Sequence, residues 1–359
     1  MDVSIVTASQ ISPEYIEDEL ECYALSNIPI NTVNEYDFDR QKKRVKGISI
    51  RTLNDLDLRL WLSEIQSERT IGYTFYLGTP LSARDRDAAG SLDLIVAGSS
   101  FCEERLKQVG LTNTKTVIQG IDPGIYNPHH AAKSRLQDRF IIFSGGKLEY
   151  RKGQDIVLKA FKAFSEKHSD ALLVNAWFNQ WEFSLKTMLE SRLIEFCFDA
   201  GNFMKSMVDL IRMNHIDPEK VITLPLKTPH QLANIFRNTD IGLFPNRCEG
   251  GTNLMLMEYM ACGKPVIATS KTGHSDIIEP ENPFAVKHYE SVHPRSNRFS
   301  EYEEWVEPNV DEIIALLETA YNHPEQCLQE GIKAGKRLAN MTWEKAAGSF
   351  HEISRDLIS

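Results

Sequence analysis

The sequence predicts an α/β protein of two lobes, each built on a doubly wound parallel sheet. Three observations predict it. Short apolar, β-branched runs alternate with amphipathic helical stretches along most of the chain. The alternation breaks once, at a segment rich in Pro, Gly, His and Asn, and then restarts. The chain has 359 residues, too many for one ordinary domain and enough for two.

In the first lobe, residues 3–8 (VSIVTA), 71–76 (IGYTFY), 92–97 (LDLIVA) and 116–119 (TVIQ) read as strands. A helix over 101–109 follows the third and stops at Gly110. Residues 120–134 (GIDPGIYNPHHAAKS) read as an interdomain linker. The second lobe has strands at 140–144 (FIIFS), 171–176 (ALLVNA), 221–224 (VITL), 240–244 (DIGLF) and 265–269 (PVIAT). Helical spacing appears at 155–165, 229–237 and 254–262. Residues 289–308 are polar and irregular, and 343–359 form an amphipathic helix with no strand after it. The expected division is 1–130, 131–340 and 341–359.

Hydrophobic residues make up 42% and charged residues 25% of the chain, the profile of a soluble globular protein. The net charge of −10 argues against a general nucleic-acid binder. Residues 40–51 (RQKKRVKGISIR) are the local exception. They read as a solvated helix face or as a contact for an anionic acceptor or a membrane surface. The six cysteines form no CxxC and no zinc spacing, and read as reduced cytosolic thiols. The N-terminus has no signal-peptide pattern, and no apolar run approaches the about 18 residues of a membrane span. A cytoplasmic protein, at most peripheral to a membrane, is expected.

The chemistry concentrates in residues 240–270 (DIGLFPNRCEGGTNLMLMEYMACGKPVIATS). A buried strand ends at Pro245, a glycine-containing loop carries Glu249, and Thr252 or Asn253 can cap the helix that follows. Gly263 ends that helix. Free N–H groups near Asn253 and Leu254, with the helix dipole, form an anion site suited to a diphosphate. Gly250 and Gly251 leave room for a ligand at the backbone. The helix is apolar on nearly all sides and is expected to be buried. Glu258 is its one charge and needs partners there. Those partners are either a ribose diol or a neighbouring amide or Arg. A second element, residues 144–155 (SGGKLEYRKGQD), ends a strand in Gly145 and Gly146 and offers Lys147 and Lys152. Two lysines here suit a pyrophosphate leaving group, or form a solvated turn.

Taken together, these elements resemble a family 4 retaining glycosyltransferase of the GT-B fold. The family pattern G-R-L-x-x-x-K-G corresponds to Gly146-Lys147-Leu148 through Lys152-Gly153. E-G-x-G-L-x-x-x-E corresponds to Glu249 through Glu258, and A-x-G-x-P-V-I-A to Ala261 through Ala268. Further matches lie at 93–103 (DLIVAGSSFCE), 120–122 (GID), 272–276 (TGHSD), 305–308 (WVEP) and 342–343 (TW). The resemblance runs from about residue 71 to the C-terminus.

The resemblance implies two Rossmann-like domains facing a cleft, with the last helix crossing back to the N-terminal lobe. It implies transfer of a hexose or related sugar from a nucleoside diphosphate, UDP or GDP, to a glycan, lipid or small-molecule hydroxyl with retention. Neither a cofactor beyond that co-substrate nor a metal is required; Asp55-Leu56-Asp57 reads as a helix-surface feature. Lys147 and Lys152 would contact the diphosphate, with Gly146 beneath them. Glu249 and Gly250 would lie against the sugar, while Gly251, Thr252, Asn253 and Leu254 would line the phosphates. Glu258 would hold the ribose, and Pro225 and Lys227 would lie near the base. Catalytic roles would fall to Glu249, Lys152 and Lys147.

On the acceptor side, Tyr73, Thr74 and Tyr76 are candidates, with aromatic packing as the other reading for Tyr73. His274 reads either as a donor contact or as structural. Cys248, beside Glu249, reads as reactive or as small and buried.

The sequence departs from the family pattern in three places. Lys147 stands where the family usually has Arg. Nine positions rather than eight separate Glu249 and Glu258, so either the loop bulges or Gly250 takes the sugar-facing place. The N-terminal lobe lacks the glycine-rich first loop and the acceptor-side His, the first histidines being His129 and His130. A non-catalytic nucleotide-sugar-binding partner subunit is therefore the alternative. An epimerase or phosphorylase of the same architecture is a third reading. A dehydrogenase is disfavoured, because no GxGxxG follows the first strand.

Overall fold

The computed structural model of the chain describes residues 3–7, 30–34, 43–60, 65–128, 133, 135–179, 181–293 and 305–358. His129, His130 and residues 40–42 lie outside them. The chain forms two compact units. The smaller, Met1–Gly47 with Leu62–Glu68, contains the parallel pair β1 (Val3–Thr7) and β2 (Ile30–Asn34), with Val3 opposite Ile30. The larger, Ile48–Trp61 with Arg69–Ser359, holds both cores described below.

The first core lies on a four-stranded sheet of order β3 (Lys43–Thr52), β4 (Ile65–Thr74), β5 (Leu94–Ala97), β6 (Thr114–Thr116). Strands β4, β5 and β6 run parallel. Leu53, Leu58, Tyr76, Ile95, Cys102 and Leu106 pack on one face of it. Two local expectations are corrected here. The basic stretch 40–51 was expected on a helix face, but its described part is β3; Ile48 and Ile50 alternate with Ser49 and Arg51, the two-residue period of a strand. Asp55-Leu56-Asp57 is a turn, not a helix, because the Asn54 side-chain oxygen accepts from the N–H groups of Leu56 and Asp57.

The second sheet has six parallel strands in the order β9 (Val221–Thr223), β8 (Ala171–Trp177), β7 (Phe140–Gly146), β10 (Ile241–Phe244), β11 (Val266–Thr269), β12 (Ala285–Val286). β7 is the first strand of this lobe, so chain order reverses between β7 and β10. Ligand crevices form at such a switch point, outside the carboxyl ends of the strands. The lysine loop leaves β7 there, and the Glu249 loop leaves β10 beside it. Residues 289–308, expected to be irregular, include the antiparallel pair β13 (Tyr289–Val292) and β14 (Trp305–Pro308).

The expected linker is less free than its composition suggests. Ile121 and Tyr126 are buried in the second lobe's core, where Tyr126 stacks on Phe236 at 6.2 Å. The terminal helix Trp343–Ile358 returns to the first sheet, and Ala346 and Ile353 pack with Ile71, Val96 and Val117.

Candidate functional site

The Leu254–Ala261 helix is buried among apolar side chains, and the Tyr259 ring stacks on Phe143 at 5.2 Å. It ends as expected at Gly263, whose φ of +75° only glycine adopts without strain. Its start differs from expectation. Asn253 occupies the cap position, but no side chain accepts from the first turn. Its backbone is left-handed, φ 63°, at the place where the family pattern has glycine before Leu254. The extra residue between Glu249 and Glu258 is thus taken up in the loop ahead of Asn253, and the helix register from Leu254 is kept.

His274 explains why Asn253 does not cap. Its side chain is fully buried, with Nδ1 3.2 Å from the Thr269 carbonyl and Nε2 3.3 Å from the Asn253 amide nitrogen. Burial pushes its pKa down to about 4, so the ring is neutral. Nδ1–H donates to Thr269 and Nε2 accepts from Asn253. His274 thus supports the turn from behind, and the helix amides are left for another acceptor. Thr252 is buried and its hydroxyl lies 2.9 Å from the Met257 sulfur.

Glu249 sits at the centre of a charge cluster. Oε1 receives the Lys152 ammonium and the Asn246 amide, and Oε2 receives Arg151 Nη1 at 2.9 Å. The backbone N–H of Glu249 donates to the Thr272 hydroxyl at 3.0 Å. Burial alone would raise the carboxyl pKa, but Lys152 and Arg151 hold it at about 2. Lys152 is nearly buried and shifted down by burial against that attraction. Lys147 is exposed on the same loop, directly after Gly146, and its carbonyl accepts from the Gln154 side chain at 2.7 Å.

Glu258 is half-buried, and burial raises its carboxyl to about 7 despite a hydrogen bond with Tyr126. Its protein partner is thus a tyrosine of the linker segment rather than the neighbouring amide or Arg expected as one alternative. Pro225 is exposed and Lys227 half-buried after β9, two strands away from β7.

The glycines at 250 and 251 do leave room, but the first lobe takes it. A Cβ on Gly250 would lie 1.9 Å from the Phe75 carbonyl oxygen, and one on Gly251 2.6 Å from the Phe75 ring. Ser99 Oγ donates to the Gly250 carbonyl at 2.6 Å. The Asp276 carboxylate accepts the Ser100 N–H at 2.8 Å and the Ser100 hydroxyl, at the start of the Ser100–Gln108 helix. Of the acceptor-side candidates, Tyr76 is buried with its hydroxyl on the Thr79 carbonyl. Tyr73 packs edge-on against Phe75 and Phe350, and Thr74 is fully buried. Cys248 is buried.

Three charged residues of this region had no sequence signal beyond their presence. Arg151 joins Glu149 to Glu249. Arg247 is buried, forks onto Asp155 at 2.7 and 2.8 Å, reaches Glu307 at 2.6 and 2.7 Å, and lies 3.8 Å from the centre of the Tyr150 ring. Glu149 is ion-paired with Arg151 at 2.6 Å.

A doubly wound six-stranded sheet, a smaller four-stranded sheet whose strands run in plain chain order rather than doubly wound as expected, and a terminal helix that recrosses to that smaller sheet make up the architecture, and the solved structures it resembles have the GT-B fold. Residues 127–304 match the family described as Glycosyl transferases group 1. Among curated relatives, a GDP-mannose-dependent alpha-(1-6)-phosphatidylinositol dimannoside mannosyltransferase of Mycobacterium tuberculosis is 23% identical over 73% of this chain and 57% of its own length. A D-inositol 3-phosphate glycosyltransferase of Paenarthrobacter aurescens is 24% identical over 75% of this chain and 59% of its own. The chain thus spans less than two thirds of the curated relatives it matches. Among solved structures, Anabaena HepE in complex with UDP and glucose superposes with a TM-score of 0.63 at 14% identity, over 99% of this chain and 100% of that one. Sucrose-phosphate synthase from Thermosynechococcus elongatus gives 0.62 at 16% identity, over 96% and 78%.

Proposed function

We propose that the chain is a retaining, family 4 glycosyltransferase that moves a sugar from a nucleoside diphosphate, UDP or GDP, to a hydroxyl acceptor without a metal. The observation that carries this is the buried Leu254–Ala261 helix, uncapped by Asn253, whose first turn packs against Gly145 at the strand end that leads into Lys147 and Lys152. That is an arrangement for a diphosphate. The bond from the anomeric carbon to the β-phosphate oxygen breaks, and its electron pair leaves with the diphosphate. Lys147, Lys152 and the helix amides stabilise that charge. The acceptor oxygen bonds the anomeric carbon on the face the diphosphate left, and its proton passes to the departing phosphate. Glu249 orients sugar hydroxyls, and Glu258 accepts from the ribose diol.

In this reading residues 1–130 form the acceptor side, 131–340 the donor lobe and 341–359 the crossing helix. The acceptor is a glycan, a lipid or a small molecule. The names of the curated relatives, which act on inositol-containing compounds, are consistent with that range. Among the described residues, no helix is long and apolar enough to cross a membrane; peripheral contact through the basic stretch 40–51 is part of the proposal.

The test is a thermal-shift panel of nucleotides and nucleotide sugars, since a ligand that binds the native state raises Tm by mass action. The best donor is then incubated with protein, and released nucleotide and the anomeric configuration of the product are measured. A panel in which nothing shifts Tm would sink the reading. The placement of Phe75 over Gly250 favours a second reading, a binding partner with little activity. Binding without any release of sugar, with or without acceptors, would select it.

A further inference from the structure

We infer that Arg151 is a positioning residue that holds Glu249 for the donor sugar while Lys152 turns to the diphosphate. The inference rests on the glycosyl-transfer reading above. Four side chains alternate in sign around this point: Glu149, Arg151, Glu249 and Lys152. Arg151 reaches Glu149 Oε1 through Nη2 at 2.6 Å and Glu249 Oε2 through Nη1 at 2.9 Å, with Nη1 also 3.3 Å from the Cys248 carbonyl. Lys152 reaches the other oxygen of Glu249.

The two cations are not equivalent. A guanidinium is planar and can grip two carboxylates at once, whereas an ammonium on a flexible stem is a movable point charge. Arg151 is also anchored away from the donor. Glu149, its second partner, accepts from the Ser184 hydroxyl; Asn179 bonds Ser184 at 3.2 Å and the Leu148 carbonyl at 2.9 Å. A pyrophosphate at the helix start competes with Glu249 for Lys152. If Lys152 were the sole counter-ion, that exchange would leave a carboxylate with 6% side-chain exposure uncompensated in charge, with only the neutral Asn246 amide on it. With Arg151 on Oε2, Lys152 leaves Oε1 and Glu249 stays charged and in place. The freed Oε1 then accepts from a sugar hydroxyl. Sugar recognition is thereby coupled to occupancy of the phosphate site.

The test compares bare UDP and GDP with their sugar conjugates, by calorimetry, on wild type, Arg151→Ala, Arg151→Lys and Glu149→Gln. The expected result is that Arg151→Ala leaves affinity for the bare nucleotide nearly unchanged. The preference for the sugar conjugate and kcat should each fall by at least about tenfold, the worth of a lost bond to a charged group. Arg151→Lys, which keeps the charge but not the double grip, should restore part of both. If Arg151→Ala fails to fold, Arg151→Lys and Glu149→Gln carry the same comparison. Equal weakening of nucleotide and conjugate would overturn the inference, because a merely structural or phosphate-binding Arg151 predicts that. A wild type that binds no nucleotide removes the donor-site reading itself and this inference with it, an outcome distinct from the former.

Discussion

Replacing Arg247 with Met tests the energetics of the ion network behind the Glu249 loop. Asp155 is fully buried and Glu307 partly so; this guanidinium is the cation paired with both, and the Ser191 hydroxyl also bonds Asp155. Met fills similar space without charge. Two carboxylates are then left together, one of them without water. Removing one partner of a buried pair costs about 3–5 kcal/mol. In a lobe of this size each kcal/mol moves Tm by about 2–4 °C, so Tm should fall by about 6–20 °C. Asp155→Asn is the control. It leaves Arg247 paired with Glu307, bonded to the Tyr150 carbonyl at 2.8 Å and lying over the Tyr150 ring. Its expected loss is about 1–3 kcal/mol. Urea unfolding followed by tryptophan fluorescence reports on this core, because Trp177 and Trp305 are buried in it. An Asp155→Asn loss equal to or larger than that of Arg247→Met would refute the charge-balance argument.

Other perturbations follow from the same geometry. Gly250→Ala places a methyl against the Phe75 carbonyl, a backbone atom that no rotamer change moves aside; crosslinking between cysteines placed across the Phe75–Gly250 contact should drop sharply in the variant. Lys152→Ala and Glu258→Ala should each abolish the Tm shift given by the best nucleotide sugar. Wild-type shifts in both would show the donor-site assignment to be wrong. Donor affinity should rise as pH is raised through about 7, where Glu258 becomes the carboxylate that accepts from a diol, and Glu258→Gln should be flat there. For His274 the folded pKa lies below the unfolded one, so the unfolded chain takes up a proton first as pH falls. Stability is then lost between about 6.5 and about 4, and His274→Asn should remove that slope in pH-dependent urea titrations.

The parallel strands of the second lobe were legible because a buried strand is a short apolar run with turn residues at both ends. Gly263 was legible as a helix stop for the same local reason. At the other end of that helix, Asn253 was recognised as a cap residue, but its side chain is drawn to His274, twenty-one residues on. Local chemistry cannot foresee a competitor from another loop. The Arg247 network was illegible in the same way, since Asp155 and Glu307 lie 92 and 60 residues away. The basic run at 40–51 was misread as helical because charge masked the alternation of Ile48 and Ile50. The family resemblance located the lysine loop, the Glu249 loop and the helix start, which the fold brings to one switch point. It offered nothing on what fills the space over Gly250, which depends on how Phe75 meets it.

Asp276 seats its carboxylate on the first turn of a helix that belongs to the other sheet. An acid on a helix's positive end contributes only about 0.3–1 kcal/mol at an exposed position. Water can replace it on both sides with little penalty. This contact is thus small in energy yet demanding in direction, since the carboxylate must meet amide and hydroxyl together. Together with the buried Ser99–Gly250 hydrogen bond, it adds a directional contact to the packing of Phe75 on Gly250 and Gly251.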